Sequence, residues 1–277
     1  MIEERIRLDV LVSDKKLVPS REKARDYILS GKIYVDGKLE KKCGRKVNLD
    51  ASIEIKGEIL PYVSRGGLKL EKAIKKFNID LENKLCLDIG ASTGGFTDCM
   101  LKFGAKKVYA IDVGSEQLAH ELKEDSRVVS MENTNIRNVT KEQISELCNF
   151  ASIDVSFISL DKVIPSVLNL ISQDGSIVAL VKPQFEAGVG KVNKKGVVKG
   201  KNIHMEVLYK VITFLKENSL KIIGLDYSGI KGPNGNIEYL IYFTKDNSYI
   251  GEFNTNSISD VVFKSHEILN SEDIWEK

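Results

Sequence analysis

Short apolar runs alternate with helical patterns from residue 85 to residue 217, and this alternation constrains the fold more than any other feature of the sequence. The runs are almost continuously apolar, which is typical of strands buried on both faces of a sheet. They predict strands at 85–89, 107–112, 128–131, 151–155 and 176–181. Because helices fit between them, we predict an α/β fold with a mostly parallel sheet. Two further runs, 220–227 and 237–243, predict an antiparallel pair at one edge and seven strands in all, followed by a helix over 258–269.

The first 58 residues form a separate pattern with its own charge. Helical spacing over 5–12 and 21–29 is followed by strand-like runs at 33–35 and 52–55, which predicts a small α+β domain. Residues 59–63 are typical of a linker, and 64–277 form the second domain. Residues 1–70 carry a net charge of +5, whereas the remainder carries −3. A basic module on a slightly acidic body indicates binding of a polyanion such as RNA, although a solvated lysine-rich surface has the same charge.

The basic side chains expected to contact RNA cluster on and beside the helix predicted at 21–29. Contacts of this kind are made to phosphates, so they supply affinity rather than sequence reading. The candidates are Arg7, Lys16, Arg21, Lys23, Arg25 and Lys32, together with Arg65 at the start of the second domain.

Several classes of protein are disfavoured by composition. No apolar run approaches the roughly 18 residues that span a bilayer, and the charged N-terminus lacks a signal-peptide pattern. We therefore expect no association with a membrane. The four cysteines are scattered, which predicts reduced thiols and a cytoplasmic protein. The three histidines, His120, His204 and His266, lack the spacing of metal ligands, so we expect no bound metal and give them structural roles.

A glycine-rich segment, 88–96, joins the first strand of the predicted sheet to its helix. In an open α/β sheet, ligands bind beyond the carboxyl ends of the strands, where small residues let the backbone approach them closely. No Gly-Lys-Ser/Thr sequence follows, which argues against a triphosphate-binding loop. The segment begins instead at Asp88, a possible partner for an amino group of a ligand. Asp112 ends the second predicted strand, at the position of a ribose-binding carboxylate. A structural turn and an NAD site are the alternatives.

Four charged side chains interrupt the apolar pattern of the second domain. Asp154 and Lys182 end the fourth and fifth predicted strands, Glu238 lies at the start of the last strand, and Lys69 lies in a basic, glycine-containing segment. Because the carboxyl ends of parallel strands meet at one edge of a sheet, Asp154 and Lys182 are expected to lie together beside the glycine loop. Single charges at strand ends are common in any protein, but their convergence on one loop indicates a catalytic site.

Both parts of the sequence resemble known families. Residues 7–37 resemble the RNA-binding module named after ribosomal protein S-four, which also occurs in pseudouridine synthases and some synthetases. The second domain resembles the hemolysin A (TlyA) family, RNA methyltransferases with an FtsJ-like catalytic domain. The matching segments keep the family's order over nearly the whole chain and are 62–67, 87–98, 112–114, 154–160, 180–186 and 232–238.

The resemblance implies a Rossmann-like class I methyltransferase that uses S-adenosyl-L-methionine. It implies methylation of the ribose 2'-hydroxyl of cytidine in ribosomal RNA, with ribosomal subunits as partners. The family's catalytic tetrad falls on Lys69, Asp154, Lys182 and Glu238. The implied cofactor site consists of Asp88, Gly90, Ala91, Ser92, Thr93, Gly94, Gly95, Phe96, Asp112, Val113, Asn133 and Asp154.

The chemistry of ribose methylation agrees with this tetrad. A ribose hydroxyl is a poor nucleophile and must lose its proton as it attacks the methyl group, and a lysine accepts a proton only in its neutral form. We expect Lys182 to be the base and Lys69 to be a neighbouring cation that favours the neutral form. Asp154 would orient Lys182, although its charge favours the protonated form, and Glu238 would position a lysine or the ribose.

The sequence departs from the family pattern at three places. Ser115 and Glu116 replace a usual Tyr-Gly pair, and Asn133 replaces a usual arginine near the expected adenine. In the lysine-rich segment 186–200, Lys195 and Gly196 replace a usual Gly-Gly pair. We expect this segment to be mobile and to offer a second contact with RNA.

Three other functions can be weighed on the sequence. A membrane-active toxin, which the hemolysin name suggests, needs a spanning or strongly amphipathic basic segment that this sequence lacks. A non-catalytic ribosome-binding or assembly factor has no need of an intact cofactor loop and tetrad. A pseudouridine synthase shares the N-terminal module but needs a mixed antiparallel fold instead of a parallel sheet.

Overall fold

The computed structural model describes residues 5–18, 21–29, 31–56, 60–144, 146–188 and 190–272. The chain divides into two compact units, Met1–Ile59 and Leu60–Lys277. The division falls within the segment 59–63, of which residue 59 lies outside the described residues.

In the first unit, two helices pack together above short strands. They are α1 (Leu8–Asp14) and α2 (Arg21–Leu29), and the second of them has the predicted bounds. The strands are β1 (Arg5–Arg7), β2 (Ile33–Val35), β3 (Lys38–Leu39), β4 (Lys46–Asn48) and β5 (Ile53–Ile55). The helix predicted over 5–12 begins only at Leu8, because β1 pairs antiparallel with β4. Between β2 and β3, Asp36 and Gly37 both have positive φ, which a two-residue hairpin turn requires.

The second unit is built on a seven-stranded sheet. In chain order its strands are β6 (Leu85–Ile89), β7 (Lys107–Ile111), β8 (Val128–Met131), β9 (Cys148–Ile153), β10 (Ile171–Val181), β11 (Lys221–Tyr227) and β12 (Tyr239–Thr244). Across the sheet the order is β11-β12-β10-β9-β6-β7-β8, and only β12 runs against the others. The predicted Rossmann-like α/β fold is confirmed, and β11 and β12 form the predicted antiparallel pair at one edge, with β11 outermost.

Helices cover both faces of this sheet. One face carries α3 (Gly66–Phe77), α4 (Gly95–Lys102) and α5 (His120–Lys123), and the other carries α6 (Ile164–Leu168), α8 (Lys201–Glu217) and α9 (Ser257–Glu272). A short helix, α7 (Pro183–Glu186), follows β10. Successive strand residues point to opposite faces, so most strands contribute to both apolar layers. Among the described residues, no helix has the length and apolar character needed to cross a bilayer.

A buried polar cluster joins α8, β12 and α9 on the second face. His204 Nδ1 lies 2.7 Å from the Tyr239 hydroxyl, and His204 Nε2 lies 2.9 Å from the carbonyl oxygen of Val198. Because a carbonyl oxygen only accepts, Nε2 carries the proton and Nδ1 accepts from Tyr239. The Tyr239 hydroxyl also lies 3.3 Å from Ser265 Oγ. Burial lowers the pKa of His204, which keeps the ring neutral and preserves this arrangement.

We expect the Tyr239→Phe substitution to lower the free energy of unfolding by about 1–3 kcal/mol, because it leaves Nδ1 of the buried His204 without its donor. Tyr242→Phe on the same strand is the matched control, since that hydroxyl donates to Ser176 Oγ at 3.2 Å in a half-buried setting. Urea unfolding of both variants measures the two losses. A loss for Tyr242→Phe as large as that for Tyr239→Phe would contradict the structural role of the cluster.

Candidate active site

Two buried lysine–carboxylate pairs lie at the carboxyl end of the sheet. Lys182 directly follows β10 and Asp154 directly follows β9, and Lys182 Nζ lies 2.6 Å from Asp154 Oδ1. Lys69 on α3 donates to Glu238 Oε2 at 2.6 Å. Both lysines are less than a tenth exposed. Because an unpaired buried charge is costly, each pair holds its two members in a fixed relation.

Both pairs have a second polar contact. Lys182 Nζ also donates to Ser156 Oγ at 3.0 Å, so the lysine bridges two side chains of the segment that follows β9. Gln184 Nε2 donates to Glu238 Oε1 at 3.4 Å. These contacts join the segments after β9 and β10 to the residue that precedes β12.

A cavity of about 630 Å³ lies beside both pairs. Lys69, Asp154 and Lys182 line it, whereas Glu238 lies behind Gly232, where an added Cβ atom would be 2.2 Å from Glu238 Oε1. Of the residues predicted from the sequence, the lining also includes Arg65, Gly90, Ala91, Ser92, Thr93, Gly95 and Phe96. The structure therefore brings the four tetrad residues and most of the glycine loop to one place.

A second cavity, of about 500 Å³, is lined partly by the same residues, Gly90, Ser92, Asp154 and Ser156. Asp112 and Val113, which follow β7, line it as predicted. Much of the remaining lining is apolar and consists of Ile89, Ile111, Ile136, Val155, Phe157, Ile158 and Val163. The second cavity is thus an apolar slot with Asp112 and Asp154 on its wall, and it shares four lining residues with the cavity beside the two lysines.

The glycine loop is held close to its neighbours. Gly90 has φ +84°, and a Cβ atom there would lie 2.4 Å from the backbone oxygen of Asp154. Only glycine tolerates both conditions without strain. Asp112 holds the loop from the other side, because its carboxylate accepts the backbone N–H groups of Ser92 at 2.8 Å and Gly114 at 2.7 Å.

Comparison with known proteins identifies this arrangement. Residues 62–245 match the FtsJ-like methyltransferase model, and residues 6–53 match the S4 domain model.

The chain belongs to the FtsJ-like methyltransferases.

Relatives of this methyltransferase span both units. It is 46% identical over 243 residues to a Bacillus subtilis (strain 168) protein, YqxC, described as a candidate rRNA methyltransferase; the match covers 87% of this chain and 86% of the relative. It is 38% identical to the 16S/23S rRNA (cytidine-2'-O)-methyltransferase TlyA of Mycobacterium tuberculosis (strain ATCC 25618 / H37Rv), over 86% of this chain and 89% of the relative.

One solved structure covers almost the whole methyltransferase. This Streptococcus thermophilus protein, described as a candidate hemolysin, is 42% identical, covers 98% of this chain and 99% of its own, and has a TM-score of 0.77. The family predicted from the sequence, hemolysin A or TlyA with an S4 domain, is confirmed, and so is the enzyme class.

Asp88 occupies a different place from the one predicted. Its side chain is fully buried and lines neither cavity. The hydroxyl of Thr97 donates to Asp88 Oδ2 at 2.7 Å, and that of Ser152 donates to Oδ1 at 3.1 Å. Burial raises the pKa of Asp88 to about 7. In this structure the Asp88 carboxylate joins α4 and β9 to the end of β6.

Two other predicted cofactor residues lie outside both cavities. Gly94 packs against α5, and a Cβ atom there would lie 2.2 Å from Leu122 Cδ1. Asn133 has a positive φ and donates its backbone N–H to Gly114, so it shapes the backbone beside the slot. The residues that follow it, Thr134 and Asn135, line the slot instead.

Several lining residues were missed by the sequence reasoning. Ser156 and Phe157 belong to a segment matched to the family and Gln117 follows another, but nothing in their residue type sets them apart as ligands. Phe157 is unusual only in the structure, where it has φ +63°, is 91% exposed and packs on Phe185 with ring centroids 4.9 Å apart. A sequence shows neither a backbone angle nor exposure, so no sequence signal was available.

In the S4 unit, two of the predicted RNA-binding arginines share a carboxylate. Arg7 and Arg21 both donate to Asp9, which is fully buried, with Nη2–Oδ2 distances of 3.0 Å. The hydrogen bonds from Arg7, with a smaller effect from Arg21, hold the pKa of Asp9 below its usual value. Both arginine side chains are about half exposed, so the contact that fixes them leaves their outer faces open.

The other predicted RNA contacts differ in exposure. Lys16 and Arg25 are exposed, and Lys23 is partly buried. Lys32 is partly buried as well, with its ammonium 5.1 Å from the centre of the Tyr27 ring.

The Asp88→Asn substitution tests the buried position of this carboxyl. Since the folded protein binds the Asp88 proton more tightly than an unfolded chain, in which aspartate titrates near ~4, this group stabilises the fold below that pH. The contribution is lost as the pH rises through about 7. We therefore expect Asp88→Asn to gain stability relative to the wild type between pH 5 and pH 8, by up to about 3 kcal/mol. Urea unfolding at several pH values measures this, and a difference independent of pH would refute it.

The Lys69–Glu238 pair predicts strong coupling between the two residues. Glu238→Leu leaves the buried Lys69 uncompensated and is expected to cost about 3–5 kcal/mol of stability. Adding Lys69→Met to this variant removes the stranded charge and should restore most of the loss. Unfolding of the two single variants and the double variant gives the coupling energy, and simple additivity would mean that the pair is not a buried unit.

Proposed function

We propose that this enzyme transfers a methyl group from S-adenosyl-L-methionine to the ribose 2'-hydroxyl of a cytidine in ribosomal RNA. The observation that carries the proposal is the Lys182–Asp154 pair between two cavities, one suited to an adenosine and one lined by Lys69 and Lys182. Ribosomal RNA as the substrate is supported by relatives named rRNA (cytidine-2'-O)-methyltransferases and by the S4 unit. A non-catalytic assembly factor would have no need of two buried charge pairs beside a ligand slot.

The second cavity fits the nucleoside part of S-adenosyl-L-methionine. The apolar walls suit a purine ring, and the Asp112 carboxylate suits the hydroxyls of a ribose. The small residues of the glycine loop would let the methionine part of the cofactor lie close to the backbone on its way to the first cavity. These residues are Gly90, Ser92, Thr93 and Gly95. When bound, the cofactor supplies a methyl group on a positively charged sulfur, which takes the bonding electron pair as the methyl group leaves.

The residues of the first cavity align the ribose and take its proton. Lys182 in its neutral form accepts the proton of the 2'-hydroxyl while the oxygen forms its bond to the methyl carbon. Asp154 and Ser156 contact Lys182 Nζ on one side, which fixes the direction of this nitrogen. Lys69, held by Glu238, adds a positive charge beside the oxygen that becomes negative. Since the methyl donor is already activated, alignment supplies much of the rate.

We assign the first 58 residues to RNA binding, 59–63 to a linker and 64–277 to catalysis. Arg7, Lys16, Arg21, Lys23, Arg25, Lys32 and Arg65 supply phosphate contacts in this proposal. An enzyme that modifies ribosomal subunits works where ribosomes are made and used, so we also propose a cytoplasmic location. Some relatives carry the name hemolysin, but the proposed activity is methyl transfer and not lysis.

The deciding experiment is methyl transfer from labelled S-adenosyl-L-methionine to unmodified small and large ribosomal subunits. We expect label on the ribose of a cytidine, located by mass mapping of RNA fragments. We expect Lys182→Arg to lose about 10²–10⁴-fold in rate, because arginine keeps the charge and the contact with Asp154 but does not give up its proton. Lys216→Arg, an exposed position on α8, is the matched control.

Two outcomes would contradict the proposal. Transfer to neither subunit, despite measurable binding of S-adenosyl-L-methionine, would exclude the ribosomal substrate. Full activity of Lys182→Arg would exclude Lys182 as the base, because the substitution leaves no neutral group at that position.

A further inference from the structure

A turn between α7 and α8 carries three lysines with no role in the active site just described. Lys194, Lys195 and Lys199 are exposed, and among the described residues no carboxylate forms an ion pair with any of them. The nearby Lys191, in contrast, is paired with Glu206 on α8. The segment 193–199 therefore presents concentrated positive charge to solvent.

Hydrogen bonds within this turn define its shape, and the mobility expected of the segment stays a prediction. Asn193 Oδ1 accepts the backbone N–H groups of Lys195 at 2.8 Å and Val197 at 3.0 Å. Gly196 has φ +75° and donates its N–H to the Asn193 carbonyl oxygen. An exposed loop kept only for its length would have no need of these internal bonds.

Two buried side chains fasten the turn to the catalytic unit. Asn236 accepts the N–H of Val198 at 3.3 Å and donates to the Gly196 carbonyl oxygen at 3.0 Å. His204 Nε2 donates to the Val198 carbonyl oxygen at 2.9 Å. Both side chains are at most 3% exposed. We refer to His204 and Asn236 together as the clamp.

The clamp places the turn at the rim of the 630 Å³ cavity. Asn236 lies two residues before Glu238, and its backbone oxygen accepts the N–H of Gly232, which lines the cavity. A Cβ atom on Gly196 would lie 3.9 Å from Nδ2 of Asn234, another lining residue. A polymer whose ribose enters the cavity on this side comes within reach of the lysines of the turn.

We propose that the turn 193–199 is a second RNA-binding surface, held at the rim of the active-site cavity by the clamp. Its lysines bind phosphates of the RNA strand beside the methylated nucleotide. The inference rests on the proposed function in that the polymer is the RNA substrate. Lysine ammonium groups without a carboxylate partner fit phosphates, and contacts of this kind fix the position of a strand without reading its bases.

The test is binding of the full chain to unmodified ribosomal subunits over a range of salt concentrations. We expect Lys194→Glu with Lys195→Glu to weaken binding at least ~10-fold and to lower the slope of log Kd against log salt by about 1.5, since each lost phosphate contact removes about 0.7–0.9. Affinity for S-adenosyl-L-methionine should not change, because neither lysine lines a cavity.

The matched control reverses the charge of two lysines, Lys216 near the end of α8 and Lys221 at the start of β11. Lys216 and Lys221 are exposed, and Lys216 lies about 20 Å from the start of α8 because a helix rises 1.5 Å per residue. If the turn variant binds no more weakly than this control, the proposal is overturned, including the case in which the wild type binds neither subunit. Methyl transfer by the wild type distinguishes a failure of this RNA-binding surface from a failure of the proposed function. Transfer with equal binding of both variants leaves the proposed function standing and removes this surface. A binding difference without methyl transfer supports this surface and contradicts the proposed function.

A second pair of variants tests the clamp. His204→Phe keeps a ring but loses both hydrogen bonds, and we expect it to reproduce the lower salt slope of the turn variant. His204→Gln can donate to Val198 and accept from Tyr239, so it should keep wild-type binding. Asn236→Ala serves the same purpose if His204→Phe does not fold. Wild-type binding and salt slope in a folded clamp variant would overturn the clamp's part of the proposal.

Discussion

The parallel pairing of β9 with β6 and β10 is the constraint on which the rest of the site depends. Ile153 pairs with Ile89 on one side and with Ala179 on the other, so three strands end at nearly the same level. The chain then continues from β6 into the glycine loop and from β9 into Asp154. It leaves β10 at Lys182. A slip of one residue would turn every side chain to the opposite face and would separate these groups.

Charge compensation makes the site rigid as well as reactive. Each buried lysine is offset by a carboxylate from a different part of the chain, Asp154 after β9 in one pair and Glu238 before β12 in the other. Pairs of this kind add little net stability, but they penalise any arrangement that separates them. Because β12 runs antiparallel to β10 and β11, Glu238, which precedes β12, lies at the same end of the sheet as Asp154, which follows β9. The reversed strand β12 therefore brings the second carboxylate to the site.

The fold was largely predictable because it follows from the period of apolar residues, whereas the site was predictable only in part. The strand after Asn169 begins at Ile171 and not at 176, because Ile171 already pairs with Cys148 of β9 before the register shifts and pairing resumes at Ser176. Asp88 matched the expected pattern as well as Asp112 did, yet only Asp112 faces a cavity. The difference lies in Thr97 and Ser152, which approach Asp88 from two other elements and satisfy it inside the core. Local sequence does not carry that information.

Methyl transfer from an activated donor makes modest demands on acid–base chemistry and strong demands on distance and direction. The tetrad residues accordingly lie on or beside strand ends and on α3, where packing restricts them, and none lies on a long connection. The polymeric substrate is a harder problem, since one ribose has to be held while the strand on either side remains solvated. A turn fastened to the same β12 segment that carries Glu238 couples these tasks, because the position of the rim and the position of the Lys69–Glu238 pair then depend on the same backbone.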